Sequence, residues 1–164
     1  MLDFSATYTD QYQLAMAQVY FKKGQKDYTA IFDYYFRKLP FNGGYAIFAG
    51  LQDLLEIIEN IKFSDKDLEY LKKQDFDDDF LEYLKDFKFR GNINSVQEGD
   101  VVFPTRPVLQ VEANIIEAQI IETILLNLLN FQTLVATKAS RIKLVSGERT
   151  LLDFGLRRAQ GPGG

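Results

Sequence analysis

The chain has 164 residues, with 19 Lys and Arg against 23 Asp and Glu, a net charge of −4, and no Cys, His or Trp. Those absences exclude a disulfide framework, a thiol nucleophile, iron–sulfur and Cys-based zinc sites, a Ser–His couple and a phosphorylated histidine within these residues. The mildly acidic balance offers nucleic acid no footprint, and 46% hydrophobic residues suit one soluble domain, or a domain and the beginning of another.

The first ten residues, MLDFSATYTD, lack the basic and apolar regions of a secretory signal. The most apolar stretch, Ile115 to Ala136, is interrupted by Glu117, Gln119, Glu122, Asn127, Asn130 and Gln132, which argues against a bilayer span. A cytoplasmic protein with no membrane partner and no nucleic-acid partner is the expectation.

Taken in chain order, Tyr12, Ala15, Met16, Val19 and Tyr20 recur at helical spacing between Asp10 and Lys23, with Thr9 or Asp10 as cap and Gly24 as stop. The aromatic and β-branched run Tyr28 to Arg37 predicts a strand. Its alternation sets Ala30, Phe32, Tyr34 and Phe36 toward a core, and Asp33, Tyr35 and Arg37 toward a ligand or partner. After the Pro40-Phe41-Asn42-Gly43-Gly44 turn, Ile47, Leu51, Leu54, Ile58 and Ile61 predict a second amphipathic helix. Ser64 with Asp67 reads as a capping box for a third. The Asp77-Asp78-Asp79 run reads as the solvated start of a short fourth helix near Phe80 to Phe87, because Asp in a first turn complements the helix dipole, and only secondarily as a metal site.

Residues 88–114 carry short β-rich runs punctuated by Gly91, Gly99, Pro104 and Pro107, which predict short strands joined by tight turns. Ile116, Ile120, Ile124 and Leu128, flanked by Ile121, Leu125 and Leu129, then predict a long helix that Thr133 to Leu144 continues. A helix this apolar has to be buried between elements or subunits. The run Thr150 to Phe154 predicts a last short strand that has no later strand to pair with, as though a new α/β unit were beginning. The fold class is therefore α+β.

Four segments, taken together, resemble nicotinate phosphoribosyltransferase. They are Thr9-Asp10-Gln11-Tyr12-Gln13-Leu14; Phe36 to Phe41 leading into Gly44-Tyr45-Ala46-Ile47-Phe48-Ala49-Gly50-Leu51; Asn127 to Thr137; and Phe154-Gly155-Leu156-Arg157-Arg158-Ala159-Gln160-Gly161-Pro162. The resemblance implies the helical and β-stranded N-terminal domain of a type II phosphoribosyltransferase over residues 1–146, and over 147–164 the first strand of an incomplete α/β barrel. It implies transfer of phosphoribose from phosphoribosyl pyrophosphate to nicotinate, giving nicotinate mononucleotide and pyrophosphate in NAD salvage. It further implies coupled ATP hydrolysis, assistance by Mg²⁺ and an active site at a homodimer interface.

Carried over residue by residue, the resemblance implies that Tyr12 stacks on the pyridine ring from the partner subunit and that Phe154 closes the ring's other side. Arg157 would sit beside the ring and product phosphate, with Arg37 and Arg158 directed at phosphate groups. Without the family, Tyr12 would read as a core aromatic, Phe154 as strand packing and Arg37 as a surface charge. Lys138 and Arg141 read as structural or interface charges. Gly163 stands where the family usually has an acidic residue, and the phosphorylated histidine and most residues holding phosphoribosyl pyrophosphate lie beyond Gly164, so the chain alone is expected to be inactive.

Three other readings compete. Nicotinamide or quinolinate phosphoribosyltransferase is the alternative within the enzyme class. Glu98-Gly99-Asp100-Val101-Val102 followed by Pro107 to Glu112 resembles the half-barrel turn of biotinyl and lipoyl carrier domains, which need a Lys at an exposed hairpin tip; here Ala113-Asn114 leads straight into a helix. The apolar helix 115–130 would also suit an oligomerisation module.

Overall fold

In a computed structural model, residues 4–159 are described. The elements run α1 (Gln11–Lys22), β1 (Thr29–Tyr34), a 3-10 turn (Pro40–Asn42), β2 (Ala46–Ile47), α2 (Leu51–Asn60), α3 (Asp65–Lys72), α4 (Asp78–Lys85), β3 (Asn92–Ser95), β4 (Val101–Val102), β5 (Leu109–Asn114) and α5 (Ile115–Ser146), with a last 3-10 turn at Leu156–Arg158. The architecture is α+β, as the residue pattern predicts.

All strand pairs are antiparallel. β5 lies between β1 and β3, with Val111 opposite Phe32 on one side and Ile93 on the other. β2 and β4 form a separate ribbon, in which Ala46 faces Val102. Alternation along β1 works as expected: Tyr34 is buried while Ile31 and Asp33 are exposed.

Helix α5 unites the molecule. Its start contributes Ile116 and Ile120 to a core shared with α1, α3 and α4, containing Leu14, Leu71, Phe80 and Leu84. Its middle contributes Ile121, Ile124, Leu125 and Leu129 to a second core beneath the sheet and α2, containing Phe48, Leu54, Leu109 and Val111. Each such fully buried Ile or Leu contributes about 1.5–3 kcal/mol of hydrophobic stabilisation. By length and composition alone α5, with a window of mean hydropathy 1.4, could cross a membrane, but here it is the element on which α1, α2 and the strands converge.

Start signals explain the shorter helices. Ser64 Oγ accepts the Asp67 N–H while the Asp67 carboxylate accepts the Ser64 N–H at 2.8 Å, completing the predicted capping box. Asp77 is the N-cap position of α4, with Asp78 and Asp79 in its first turn; Asp77 pairs with Lys22 and Asp78 with Lys72, so the acidic run has a structural explanation. Asn114 Oδ1 caps α5 by accepting the Ile116 N–H at 2.9 Å.

Three expectations are corrected. Helix α1 does not bury Tyr12, Ala15, Met16 and Val19, which are exposed; it buries Gln13, Leu14 and Ala17. The reason is that Gln13 meets a polar partner on α5, so the apolar count misjudged the inward face. Ile47 belongs to β2 and not to the second helix, which starts only after Gly50, whose left-handed φ of 102° ends the extended run. Finally, Thr150 to Phe154 forms no strand among the described residues. No neighbouring strand offers its backbone a ladder, and Leu152 and Phe154 are exposed.

Candidate functional site

The two family-like segments in the middle of the chain meet in space. The Ile47 N–H donates to Thr137 Oγ1 at 2.9 Å, and the Ala49 N–H donates to Thr133 Oγ1 at 3.2 Å. Both threonines are buried on α5 and cap the free edge of the short β2 segment. Gly50 is needed where it lies: beyond its positive φ, an added Cβ would approach the Gln132 side chain to 3.2 Å. Glu98 accepts the N–H groups of Gly50 and of Leu51, the latter at 3.0 Å, which caps α2 with a carboxylate at the favourable dipole end. The carrier-like Glu98-Gly99-Asp100 turn is thus a buttress: Gly99 donates to the Phe48 carbonyl and Phe48 to the Asp100 carbonyl.

Against this frame, two cavities open along α5. The first, about 560 Å³, lies between the start of α1 and α5, where Tyr12 faces Asn127, Asn130 and Phe131. The second, about 430 Å³, lies between β1 and α5 and is bordered by Asp33, Arg37 and Glu122. Leu126 lines both. Tyr12 and Arg37 therefore flank the same stretch of α5, both exposed and free to meet a ligand.

The start of α1 is tied down by hydroxyl contacts. Thr123 Oγ1 receives the Asp10 N–H at 3.3 Å, and the Tyr8 hydroxyl donates to Asn127 Oδ1 at 3.3 Å. Tyr12 is 56% exposed, and its hydroxyl accepts from Gln13 Nε2 at 2.9 Å. Gln13, 1% exposed, in turn accepts from Gln119, whose amide also reaches the Glu122 carboxylate at 3.3 Å. This buried pair was missed in the sequence, where glutamine on an apolar helix reads as a solvent residue; the signal was two glutamines, one in the Thr9 to Leu14 segment and one within the apolar run.

Phe154 is 83% exposed, Arg157 is exposed, and neither borders the cavities of Tyr12 or Arg37. Between Leu134, at the edge of the Tyr12 cavity, and Ser146 the helix rises about 18 Å before the chain turns toward Phe154. Neither cavity is lined by both Tyr12 and Phe154, the two sides of the expected ring clamp. The Asp153 carboxylate accepts the Gly155 N–H at 2.6 Å and shapes the turn into Leu156–Arg158. Arg158 belongs to that turn, its side chain lying outside the described residues, as do Gln160, Gly161, Pro162 and Gly163.

Among the described residues no three acidic side chains gather as metal ligands. Burial holds the Tyr34 phenol far above its ordinary range. For Asp67, burial pushes the carboxyl up, but hydrogen bonds from Ser5, Ser64 and Thr7 outweigh it and leave the group below its usual 3.8.

Residues 7–130 match the family described as the nicotinate phosphoribosyltransferase (NAPRTase) N-terminal domain. Over 158 residues the chain is 49% identical to nicotinate phosphoribosyltransferase of Bacillus subtilis, covering 96% of this chain and 32% of that protein. It is 46% identical to the Caenorhabditis elegans nicotinate phosphoribosyltransferase, covering 95% of this chain and 29% of that one. The crystal structure of human nicotinic acid phosphoribosyltransferase superposes with a TM-score of 0.87 at 38% identity, over 95% of this chain and 32% of that chain. A nicotinate-nucleotide pyrophosphorylase from Pyrococcus furiosus shares the fold, with a TM-score of 0.73 at 22% identity over 94% of this chain and 32% of that chain. The chain thus spans about a third of the length of these relatives.

Proposed function

Because the chain belongs to the nicotinate phosphoribosyltransferase family, we propose that it is the N-terminal, substrate-wall portion of an enzyme that joins nicotinate to the ribose of phosphoribosyl pyrophosphate. Nicotinate mononucleotide and pyrophosphate are the products, in NAD salvage in the cytoplasm. In this reading ATP hydrolysis and Mg²⁺ support the whole enzyme through residues outside 4–159, and the chain from 147 onward opens its barrel.

The observation that carries the proposal is the exposure of Tyr12 beside a cavity on α5, in a chain whose helix α1 also leaves Met16 and Val19 uncovered. An exposed aromatic residue whose cavity Phe154 does not border suits a homodimer, in which Tyr12 of one subunit and Phe154 of the other take the pyridine ring between them. An offset aromatic partner adds about 0.5–1.5 kcal/mol beyond area burial. Arg157 offers its planar fork to the nicotinate carboxylate or product phosphate, while Arg37 and Arg158 attract the phosphates of phosphoribosyl pyrophosphate.

The chemistry asks these residues for positioning and electrostatics. The bond from the ribose anomeric carbon to the pyrophosphate oxygen breaks, positive charge develops on the ribose, and the ring nitrogen forms the new bond. Arginines near the leaving oxygens stabilise the negative charge that builds there. None of the described side chains is assigned as acid or base.

The test is an assay of the protein from the complete reading frame with nicotinate, nicotinamide and quinolinate, each with phosphoribosyl pyrophosphate and ATP. Formation of nicotinate mononucleotide from nicotinate is expected, with residues 1–164 alone inactive. Preferential turnover of nicotinamide or quinolinate would replace this reading with one of its alternatives.

A further inference from the structure

Near the far end of α5 the chain gathers a surplus of basic charge to which the proposed reaction gives no role. Residues 138–149 contain Lys138, Arg141, Lys143 and Arg149 against a single acid, Glu148, in a chain of net charge −4. Lys143 has an ordinary explanation: its Nζ donates to the Gly147 carbonyl at 2.9 Å, as cations do at helix C-termini. Lys138 and Arg141 lie earlier in the helix and cap nothing. Lys138, Arg141 and Arg149 border one cavity of about 570 Å³, and among the described residues none of them forms an ion pair with a carboxylate.

The cavity is shaped around these groups. Lys138 Nζ lies 4.9 Å from the centre of the Phe41 ring, and the Arg141 guanidinium 5.3 Å from it and 5.7 Å from the Tyr45 ring. Arg141 Nη1 also reaches the Phe41 carbonyl at 3.5 Å. Phe41 and Asn42 both hold left-handed backbone, with φ of 61° and 50°, a conformation that asparagine adopts readily but that a bulky residue such as Phe keeps only where its surroundings impose it. The following residue, Gly43, is extended, and a Cβ there would overlap the Arg141 guanidinium. The Pro40 to Gly44 loop is thus bent to seat Arg141 against an aromatic face, beside Lys138. Two like charges on one ring repel, and an aromatic face compensates only part of that cost.

We propose that the Phe41, Lys138, Arg141 and Arg149 cavity binds a phosphate-class oxyanion. Three cations without an ion-pair partner among the described residues line it, and Arg141 and Arg149 supply forks that match tetrahedral phosphate oxygens. The phosphate is either free, as inorganic phosphate or pyrophosphate, or carried on a nucleotide. Arg37, which borders the β1–α5 cavity, takes no part, so the proposal stands apart from the role given to it above.

The test uses the 164-residue chain at constant ionic strength, titrated with inorganic phosphate, pyrophosphate and adenosine monophosphate while NMR follows backbone amides and arginine Nε–H signals. Saturable, one-site shifts confined to residues 41–45 and 138–151 are expected, with pyrophosphate binding more tightly than phosphate. Arg141→Met and Arg149→Gln are each expected to weaken pyrophosphate about tenfold, the effect of losing one charge-assisted contact. Gly43→Ala displaces only the mobile end of Arg141, so it is expected to weaken binding similarly while leaving the circular dichroism spectrum and Tm unchanged. Adenosine monophosphate binding more tightly than phosphate identifies a nucleotide as the source, and equal affinity identifies the free anion. No saturation, shifts spread over all exposed cations, or unchanged affinity in the folded variants would overturn the site.

Discussion

The Tyr34 hydroxyl donates to Asn130 Oδ1 at 3.0 Å, fastening the end of β1 to the side of α5 where Tyr12 has its cavity. Tyr34 also borders the cavity of Arg37, so this bond joins the walls of the two cavities. Tyr34→Phe is expected to cost about 1 kcal/mol, because it leaves Asn130 short of one partner, and urea denaturation measures it. The same burial that holds the phenol protonated makes stability depend on alkaline pH. The unfolded chain ionises near 10.0 and the folded phenol does so only above that, so stability is complete below pH 10 and falls as pH rises beyond it. Wild type should therefore lose stability more steeply than Tyr34→Phe above pH 10.

Asp67 governs the acid side. Its folded-state carboxyl lies below 3.8, so its contribution is present above that pH and is lost as pH falls through the lowered value. Acid unfolding followed by circular dichroism should show a shallower loss of stability below pH 4 in Asp67→Asn than in wild type. Identical slopes would remove the capping box and its Ser5 and Thr7 bonds from the acid response.

Thr137→Val tests the junction between the two central family-like segments. The change preserves shape but leaves the Ile47 N–H without its acceptor in a buried setting, at a cost of about 1–3 kcal/mol. A guanidinium titration should place its midpoint well below wild type, and amide exchange at Ile47 should quicken before exchange in α3 or α4.

Tyr12→Ala separates recognition from folding. Tyr12 is largely exposed, so the stability of the chain should change by no more than about 0.5 kcal/mol. In the whole enzyme the KM for nicotinate should rise, by up to about tenfold for a lost stacking partner, with kcat changing less. An unchanged KM would remove Tyr12 from the ring site.

Met16→Glu tests the proposed pairing of subunits through the uncovered side of α1. Sedimentation velocity should show the variant shifted toward monomer relative to wild type at equal concentration, with Tm little changed because Met16 supports no core in its own chain. Equal sedimentation would place the subunit contact elsewhere.

Much of this protein is legible in its residues because local signals decided it. Ser64 and Asp67 announce a helix start, Asn114 ends a strand and opens α5, and alternation along β1 names Tyr34 as inward and Asp33 as outward. The four recurring segments identify the family, since their residue types and order survive without knowledge of contacts. Long-range partnership alone decided the rest. Gln13 can be buried beside Leu14 and Ala17 because Gln119, 106 residues away, gives its amide oxygen a partner, which no local signal on α1 announces. The strand-like run at Thr150 to Phe154 forms no ladder because a strand depends on a neighbour's backbone, which its own side chains cannot supply. Composition gave the chain its charges, and the fold decided which found partners: Asp77 and Asp78 were paired with lysines, whereas Lys138 and Arg141 were drawn together over the Phe41 ring, with Arg149 bordering the same cavity.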